Sequence, residues 1–416
     1  MGISRLKSIE KRNNVLRLSL ISLGLVLLVS AGLILIRLLG FYNAIHTEAQ
    51  ETPNNVEEEE EKKTEYTFLL LGYGGGNHEG TYLTDSIMVA NVDIKSKRAI
   101  LISLPRDIWV QVPTKNGEGF HSKINALYQM GINPKNYPAV DTKLLTEDNP
   151  SGLLKKAAED ITGLKIDAFA AIDFEGFVKT IDTLGGVDVD VKKAFTDYAY
   201  PIEEKMNDLC ERDEEFKEIE PIINKEMSEE DQKKLFEEKP ELEKFYKDIK
   251  DHPAVAFPCR YEVLHFDAGE THMDGITALK YARSRHALED GGDFNRAQRQ
   301  QNVIEAAKQK VLGIGFIPKI IPLLNELEQH IKTDLPLTEM NKLLLEGRNA
   351  NSYKVETLVL SDKFLTDVYS DYGGYILVPK IRTDDWSAIR KEIQNMKAGI
   401  TPSPTPNPSI TPKKEL

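Results

Sequence analysis

The stretch 274–301, DGITALKYARSRHALEDGGDFNRAQRQQ, gathers the side chains best able to grip a multiply charged anion. Arg283, Arg285, Arg296 and Arg299 fall within seventeen residues. Arg283 and Arg285 are two apart, so an extended segment points both to the same side. On the helix expected to follow, Arg296 and Gln300 are four apart and share a face, in line with Ile304, Ala307 and Val311. The stripe that should bury apolar side chains thus opens with Arg and Gln, and a buried arginine needs a partner. Asp293, at the helix start, can cap it and hold an arginine in place. Guanidinium donors match phosphate oxygens in pairs and stay charged at any relevant pH, so the chemistry implied is recognition of a pyrophosphate. A solvated helix face paired with Glu289, Asp290 and Asp293 is the alternative.

Two smaller clusters belong beside this one. SLPRD at 103–107 follows an apolar strand, which places Arg106 and Asp107 on the loop leaving a sheet end, where α/β sites form. A turn with a local ion pair explains the same residues. TDSIM at 84–88 begins a strand directly after the glycine-rich GYGGGNHEG, and a carboxylate at Asp85 suits Mg²⁺, which takes carboxylate and phosphate oxygens. The glycines alone are weak evidence, since the Lys-Ser/Thr ending of a P-loop is missing. There is no G-x-S-x-G and no H-E-x-x-H, and His121, His265, His272 and His286 are scattered, so none is assigned a catalytic role.

These clusters need a scaffold, and the apolar patterning supplies one. Strands are predicted from Tyr66 (YTFLLLGYGGG), at Ser86–Val92, Ala99–Leu104 and Ile166–Asp173, and in the alternating VDVDV at 187–191. Helices are predicted at Gly152–Thr162, Phe174–Leu184 and Asp293–Leu312. The alternation predicts an α/β fold, layered α-β-α around a central mixed sheet. Residues 197–251 interrupt it with twenty Asp/Glu against ten Lys/Arg, a charged helical insertion reaching to about 259. Cys210 and Cys259 flank most of it, and a disulfide closing that loop is expected, with free buried thiols as the alternative. A smaller α/β segment is expected at 315–396, and a disordered Pro/Thr/Ser-rich tail at 397–416.

The chain has 416 residues and a net charge of −13, of which the insertion carries −10, so the rest carries only −3. Apolar residues make up 41 % and charged ones 29 %, which excludes disorder throughout, a multi-span transporter, and nucleic-acid binding driven by overall positive charge. Leu18–Ile36 is an uncharged run of 19 residues, roughly 28 Å as a helix. One N-terminal transmembrane helix is therefore expected over 18–39. Basic residues before it put 1–17 in the cytoplasm and the rest outside the cell membrane, beginning with an acidic stalk at 40–65. A cleaved signal peptide is the alternative, and it exports the body equally.

Taken together, FLLLG, TDSIMVANVD, ISLPRD, KINALY, IDAFAAIDFEGFVKTIDTLGGVDVDV, HMDGITALKYARSRH and GGDFNRAQRQQ resemble the LytR-CpsA-Psr family of cell-envelope proteins, from about Phe68 to Leu312. The resemblance implies a catalytic domain at 66–314. It implies a membrane-anchored phosphotransferase that moves a glycopolymer from a polyprenyl-pyrophosphate carrier onto the peptidoglycan acceptor in cell-wall biogenesis. It implies pyrophosphate binding by Arg106, Arg283, Arg285, Arg296 and Gln300, with Asp293 orienting the arginines. It implies a metal ion, Mg²⁺ or Mn²⁺, on Asp85. Asp107 or Asp93 would act as base, Arg106, Asp107, Arg283 and Arg285 forming the catalytic group. A lipid pocket is expected along Phe169, Ile172, Phe174, Phe177, Val178 and Ile181, where ordinary core packing is the alternative.

Two positions depart from the family pattern. Gly74 stands where an aspartate is usual, and Leu83 where an arginine is usual. Two rivals to catalysis therefore remain: a non-catalytic binder of polyprenyl phosphate or cell wall, and a transcriptional attenuator of envelope genes. Only about seventeen residues are expected to face the cytoplasm, which weighs against the attenuator.

Overall fold

A computed structural model describes residues 36–37, 39–46, 63–76, 80–141, 143–144, 150–311, 327–347, 352–370 and 374–400. Residues 18–35 of the apolar run, most of the acidic stalk and 401–416 of the tail lie outside the described residues, while Lys397, expected in the tail, ends a helix. Among the described residues no helix is long and apolar enough to cross a membrane.

The strands are β1 (Glu65–Tyr73), β2 (Thr84–Asp93), β3 (Arg98–Ser103), β4 (Trp109–Val112), β5 (Phe120–Lys123), β6 (Ala168–Asp173), β7 (Val187–Val191), β8 (Phe195–Pro201), β9 (Tyr261–Phe266), β10 (Gly269–Met273), β11 (Ile331–Thr333), β12 (Lys354–Val359), β13 (Leu365–Ser370) and β14 (Gly374–Pro379). The helices are α1 (Ala126–Ile132), α2 (Gly152–Thr162), α3 (Phe174–Leu184), α4 (Asp213–Ile223), α5 (Glu229–Glu238), α6 (Pro240–Asp251), α7 (Pro253–Ala256), α8 (Gly275–Arg283), α9 (Asp293–Val311), α10 (Leu337–Gly347) and α11 (Ser387–Lys397).

The central sheet is six-stranded and mixed, in the order β11-β6-β1-β2-β3-β12. β1 runs antiparallel to β2 (Leu69 opposite Val89) and parallel to β6 (Leu69 opposite Phe169). The segment expected as a small C-terminal α/β extension supplies both edges of this sheet: β11 pairs with β6, and β12 with β3. Short distant strands carry little pattern of their own, so this pairing was not visible locally.

Strand alternation gives the sheet two unlike faces. Leu69, Leu71, Val89, Ile102 and Phe169 point to one side and form the larger core with α1, α2 and α11, including Tyr128, Leu154 and Ile393. On the other side α3, α8 and α9 pack on β7 and β10 around Ile181, Val189, Met273, Tyr281 and Val303. α3 is held at both ends: the Asp173 side chain accepts from the Gly176 N–H, and Gly185 closes the helix at φ 83°, a left-handed cap suited to glycine. Asp274 caps α8 in the same way through the Thr277 N–H.

Between β8 and β9 the acidic insertion folds on itself. Ile219, Ile222, Leu242, Phe245, Ala256 and Phe257 form its own core, and Cys210 and Cys259 are joined in a disulfide at its base.

Candidate functional site

On the α3/α8/α9 side, the sheet presents Gly72, Ser86 and Ala170 towards the helices. These small residues leave space, and a cavity of about 830 Å³ opens there. Leu70, Met88, Ile172, Phe177, Val303 and Ile304 give it apolar walls. Arg106, Arg283, Arg285, Arg296 and Gln300 line the same cavity, along with Asp85. Parts of the chain separated by more than two hundred residues thus meet around one hollow.

Asp85 reaches it through a break in the ladder. The β1–β2 pairing passes from Gly72–Ser86 to Tyr73–Thr84, so Asp85 is the extra residue of a bulge. Its Oδ1 lies 2.5 Å from Arg106 Nη1. Burial alone would lower the Arg106 pKa, but Asp85, helped by Asp107 and Asp293, outweighs it and raises that pKa. Arg106 Nε is buried and makes no hydrogen bond.

Asp107 differs from expectation. It is buried behind Arg106, 3.5 Å from its Nε, with Lys123 Nζ at 2.7 Å, and it does not line the cavity. Its contacts are with Arg106 and Lys123. Asp93 lies at the far end of β2, roughly 26 Å of strand from Asp85, and is bonded to Ser96 and Lys95. Neither carboxylate lines the cavity.

Arg283 is the last residue of α8, not part of an extended segment. The chain turns extended only at Ser284, so alternation does not aim Arg283 and Arg285, although both reach the cavity. The Arg283 guanidinium lies 4.3 Å from the centre of the Phe174 ring, and its Nη1 is 2.6 Å from Glu203 Oε1. Arg285 Nε donates to His286 Nε2 at 3.2 Å. Burial, and then Arg285, push the His286 imidazole below its usual pKa.

Arg296 is only 6 % exposed, and Asp293 Oδ1 sits 2.9 Å from its Nη2. Burial lowers its pKa; Asp293 opposes that shift, while Arg106 and Arg285 add to it as like charges. Of the expected stripe, Arg296, Gln300 and Ile304 face the hollow, Ala307 packs against the neighbouring core, and the Val311 side chain lies outside the described residues.

The apolar wall corrects the expected lipid residues. Ile172, Phe174 and Phe177 line the cavity. Phe169 points through the opposite face of the sheet into the larger core, where its ring meets Tyr128. Ile181 is buried in the core beneath α3. Val178 is absent from the cavity wall, its carbonyl pressed against Gly275 at the start of α8.

Asp197, Arg299 and His330 act as structural supports, and Arg299, counted among the arginines able to grip an anion, does not line the cavity. Asp197 is fully buried and accepts from Ser284 Oγ at 2.6 Å and from the N–H groups of Arg285 and His286, each at 3.1 Å. Arg299, 2 % exposed, donates to the carbonyls of Tyr281, Ser284 and Asp290 and stacks over Phe195 at 4.6 Å. A signal for it existed: Arg299 lines up at helical spacing with the buried Val303 and Ala306. His330 Nδ1 contacts the Asp173 carboxylate at 2.9 Å, where α3 begins.

The α/β body thus sets several arginines into the wall of a largely apolar cavity. The chain belongs to the LytR-CpsA-Psr family: the model of the LytR_cpsA_psr family matches residues 39–391. It is 25 % identical over 309 residues to the polyisoprenyl-teichoic acid–peptidoglycan teichoic acid transferase TagV of Bacillus subtilis (strain 168), covering 73 % of this chain and 59 % of TagV. A TagU transferase of Enterococcus faecalis (strain ATCC 700802 / V583) is 23 % identical, covering 69 % of this chain and 67 % of that protein. Biofilm regulatory protein A of Streptococcus mutans serotype c (strain ATCC 700610 / UA159) is also 23 % identical, over 75 % of this chain and 60 % of that protein. The crystal structure of B. subtilis TagV superposes with a TM-score of 0.50 at 23 % identity, covering 82 % of this chain and all of that one, which shows a shared fold.

Proposed function

We propose that this chain is a membrane-anchored, extracytoplasmic phosphotransferase that moves a glycopolymer from a polyprenyl-pyrophosphate carrier to peptidoglycan. One observation carries the reading: Arg106, Arg283, Arg285 and Arg296 line a cavity whose other walls are largely apolar. A pyrophosphate joined to an isoprenoid has that same division of charge and grease. The relatives named as teichoic acid transferases support the choice of reaction.

In this reading the guanidinium groups clamp the pyrophosphate oxygens and the tail fills the apolar space. An acceptor hydroxyl forms a new bond to the glycan-linked phosphorus as the bond to the polyprenyl phosphate breaks, and the hydroxyl proton passes to an oxygen of the departing polyprenyl phosphate. The leaving phosphate departs with the negative charge, and the arginines stabilise that charge as it grows. Fixed donors in a site that excludes water supply most of the rate in such transfers. Phe174 and Asp293 hold Arg283 and Arg296 in place, and Asp107 backs Arg106.

Asp85 lines the cavity, while the Asp173 carboxylate is taken up by the Gly176 N–H and His330, and Mg²⁺ or Mn²⁺ needs only one or two protein carboxylates besides substrate phosphates. Asp85 therefore fits such an ion even with Gly74 in place of an aspartate, and the bound ion would neutralise charge on the phosphates.

A second reading, binding without turnover, is favoured by Gly74 and Leu83, which remove one carboxylate and one cation from the family pattern. The two readings separate in one experiment. Glycan transfer from a polyprenyl-pyrophosphate donor to peptidoglycan is expected with the purified chain and Mg²⁺, and is expected to vanish in Arg283→Ala and Arg296→Ala. Tight donor binding without any transfer would favour the binder, and undiminished transfer in both folded variants would refute the assignment of the arginines.

A further inference from the structure

The insertion is the part of the chain that the transfer chemistry leaves unused. It is strongly acidic, yet the stretch that returns from it, PAVAFP at 253–258, has no charge. The structure divides that stretch in two. Ala256 and Phe257 turn inward, are buried, and complete the insertion's own core against Phe245. Ala254 and Val255 turn outward and line the cavity. Met206, on the outgoing side of the insertion, lines it too. Val255 is 61 % exposed and Met206 38 %, so both offer apolar surface to the cavity that the fold does not cover.

This edge is held firmly. The Cys210–Cys259 disulfide joins the two ends of the insertion, Ile202 N–H donates to the Arg260 carbonyl at 2.8 Å, and Arg260 Nε donates to the Asp208 carbonyl at 2.5 Å. The Arg212 guanidinium stacks 3.7 Å from the centre of the Phe245 ring and donates to the Ala256 carbonyl at 3.2 Å, fixing α7 from behind. The same edge reaches the charged part of the site, because Glu203, just before Met206, pairs with Arg283.

We infer that the stapled insertion is the outer lip of the lipid cavity, and that Met206 and Val255 grip the isoprenoid tail of the pyrophosphate lipid. The occupant follows from the company these residues keep. A partner that covers Val255 from within the cavity must be apolar there and anionic where it meets Arg283, Arg285 and Arg296. An acidic protein insertion would repel an anionic surface, but its one uncharged edge accepts a neutral hydrocarbon chain. Met206 and Val255 are thus residues that set affinity for the tail rather than for the phosphates. The inference rests on the proposed reading of the cavity, and its test separates the two.

The test measures binding of geranylgeranyl pyrophosphate and of inorganic pyrophosphate to the full chain, comparing wild type with Val255→Asp, Met206→Asp and, on the outer face of the insertion, Lys234→Ala. Both cavity substitutions fall on exposed positions, and unfolding midpoints monitor the fold. The expected result is roughly a tenfold loss of geranylgeranyl pyrophosphate affinity in each cavity variant, from the apolar contact removed. Inorganic pyrophosphate binding should not change, and Lys234→Ala should match wild type. Unaltered lipid affinity in both cavity variants would overturn the lip while leaving the proposed function standing. An equal loss for inorganic pyrophosphate would also overturn it, since the edge would then act through the arginines. Wild type that prefers neither ligand would remove the proposed reading and the lip together.

Discussion

The Ser284 hydroxyl donates to the Asp197 carboxylate at 2.6 Å, and this contact joins the β8 strand to the loop that carries Arg285. Burial alone would raise the Asp197 pKa, but Ser284 and the N–H groups of Ala199, His286 and Arg285 outweigh it and hold the group below the usual carboxylate range. A carboxyl with a lowered folded-state pKa stabilises the fold fully at neutral pH and loses that contribution as pH falls through the folded value. His286 acts in the same direction: it is held below 6.5, so the unfolded chain takes up its proton first and stability declines as pH drops through that range. Unfolding free energy measured against pH should therefore fall in two stages on acidification, one near the ordinary histidine range and one below 3.8. His286→Gln should flatten the first, and Asp197→Asn should shrink the second, to which other carboxyls held low, such as Asp188 and Glu215, also contribute. A wild-type profile that is level from pH 7 to pH 3 would contradict both.

Arg299 supports the same loop from the helix side. Its guanidinium is buried and spread over three carbonyls and the Asp290 carboxylate, whose Oδ2 lies 3.0 Å away. Lysine keeps the charge but not the planar fork, so Arg299→Lys leaves several of these acceptors without donors. A loss of about 2–4 kcal/mol is expected from urea denaturation. A change below about 0.5 kcal/mol would show that the fork is not needed.

The cavity wall depends on how closely α3 and α8 approach. A Cβ on Gly275 would stand 2.3 Å from the Val178 carbonyl oxygen, which is backbone and cannot swing away. Gly275→Ala should push the helices apart, at a cost of about 1–3 kcal/mol. It should also weaken binding of a prenyl pyrophosphate more than binding of inorganic pyrophosphate. Wild-type stability in this variant would mean that the contact relaxes without strain.

Much of this architecture was legible in the sequence, because its long elements have clear periods. Helix bounds at Gly152–Thr162 and Phe174–Leu184 and the strand VDVDV match the structure, since each ends in a glycine turn or a change of period. The Arg296–Gln300–Ile304 stripe was readable for the same reason. What escaped were relations between distant segments. β11 and β12 join the sheet edges through pairings that no local pattern encodes. Asp197 reads as one more acid at the start of an acidic insertion, and only the tertiary fold shows the hydroxyl and amides pointed at it. Phe169 was assigned to the lipid wall because it is apolar, but strand alternation sends it through the sheet to the other core.

The central claim is that arginines from separate segments hold a diphosphate whose lipid fills the cavity beside them. Native mass spectrometry of the chain purified from membranes with its retained lipid tests this most directly. The expected spectrum shows a bound polyprenyl diphosphate, with or without glycan, in wild type, and loss of that mass in a folded Arg296→Ala variant. A wild-type spectrum without phosphorylated lipid, or equal retention by Arg296→Ala, would contradict it.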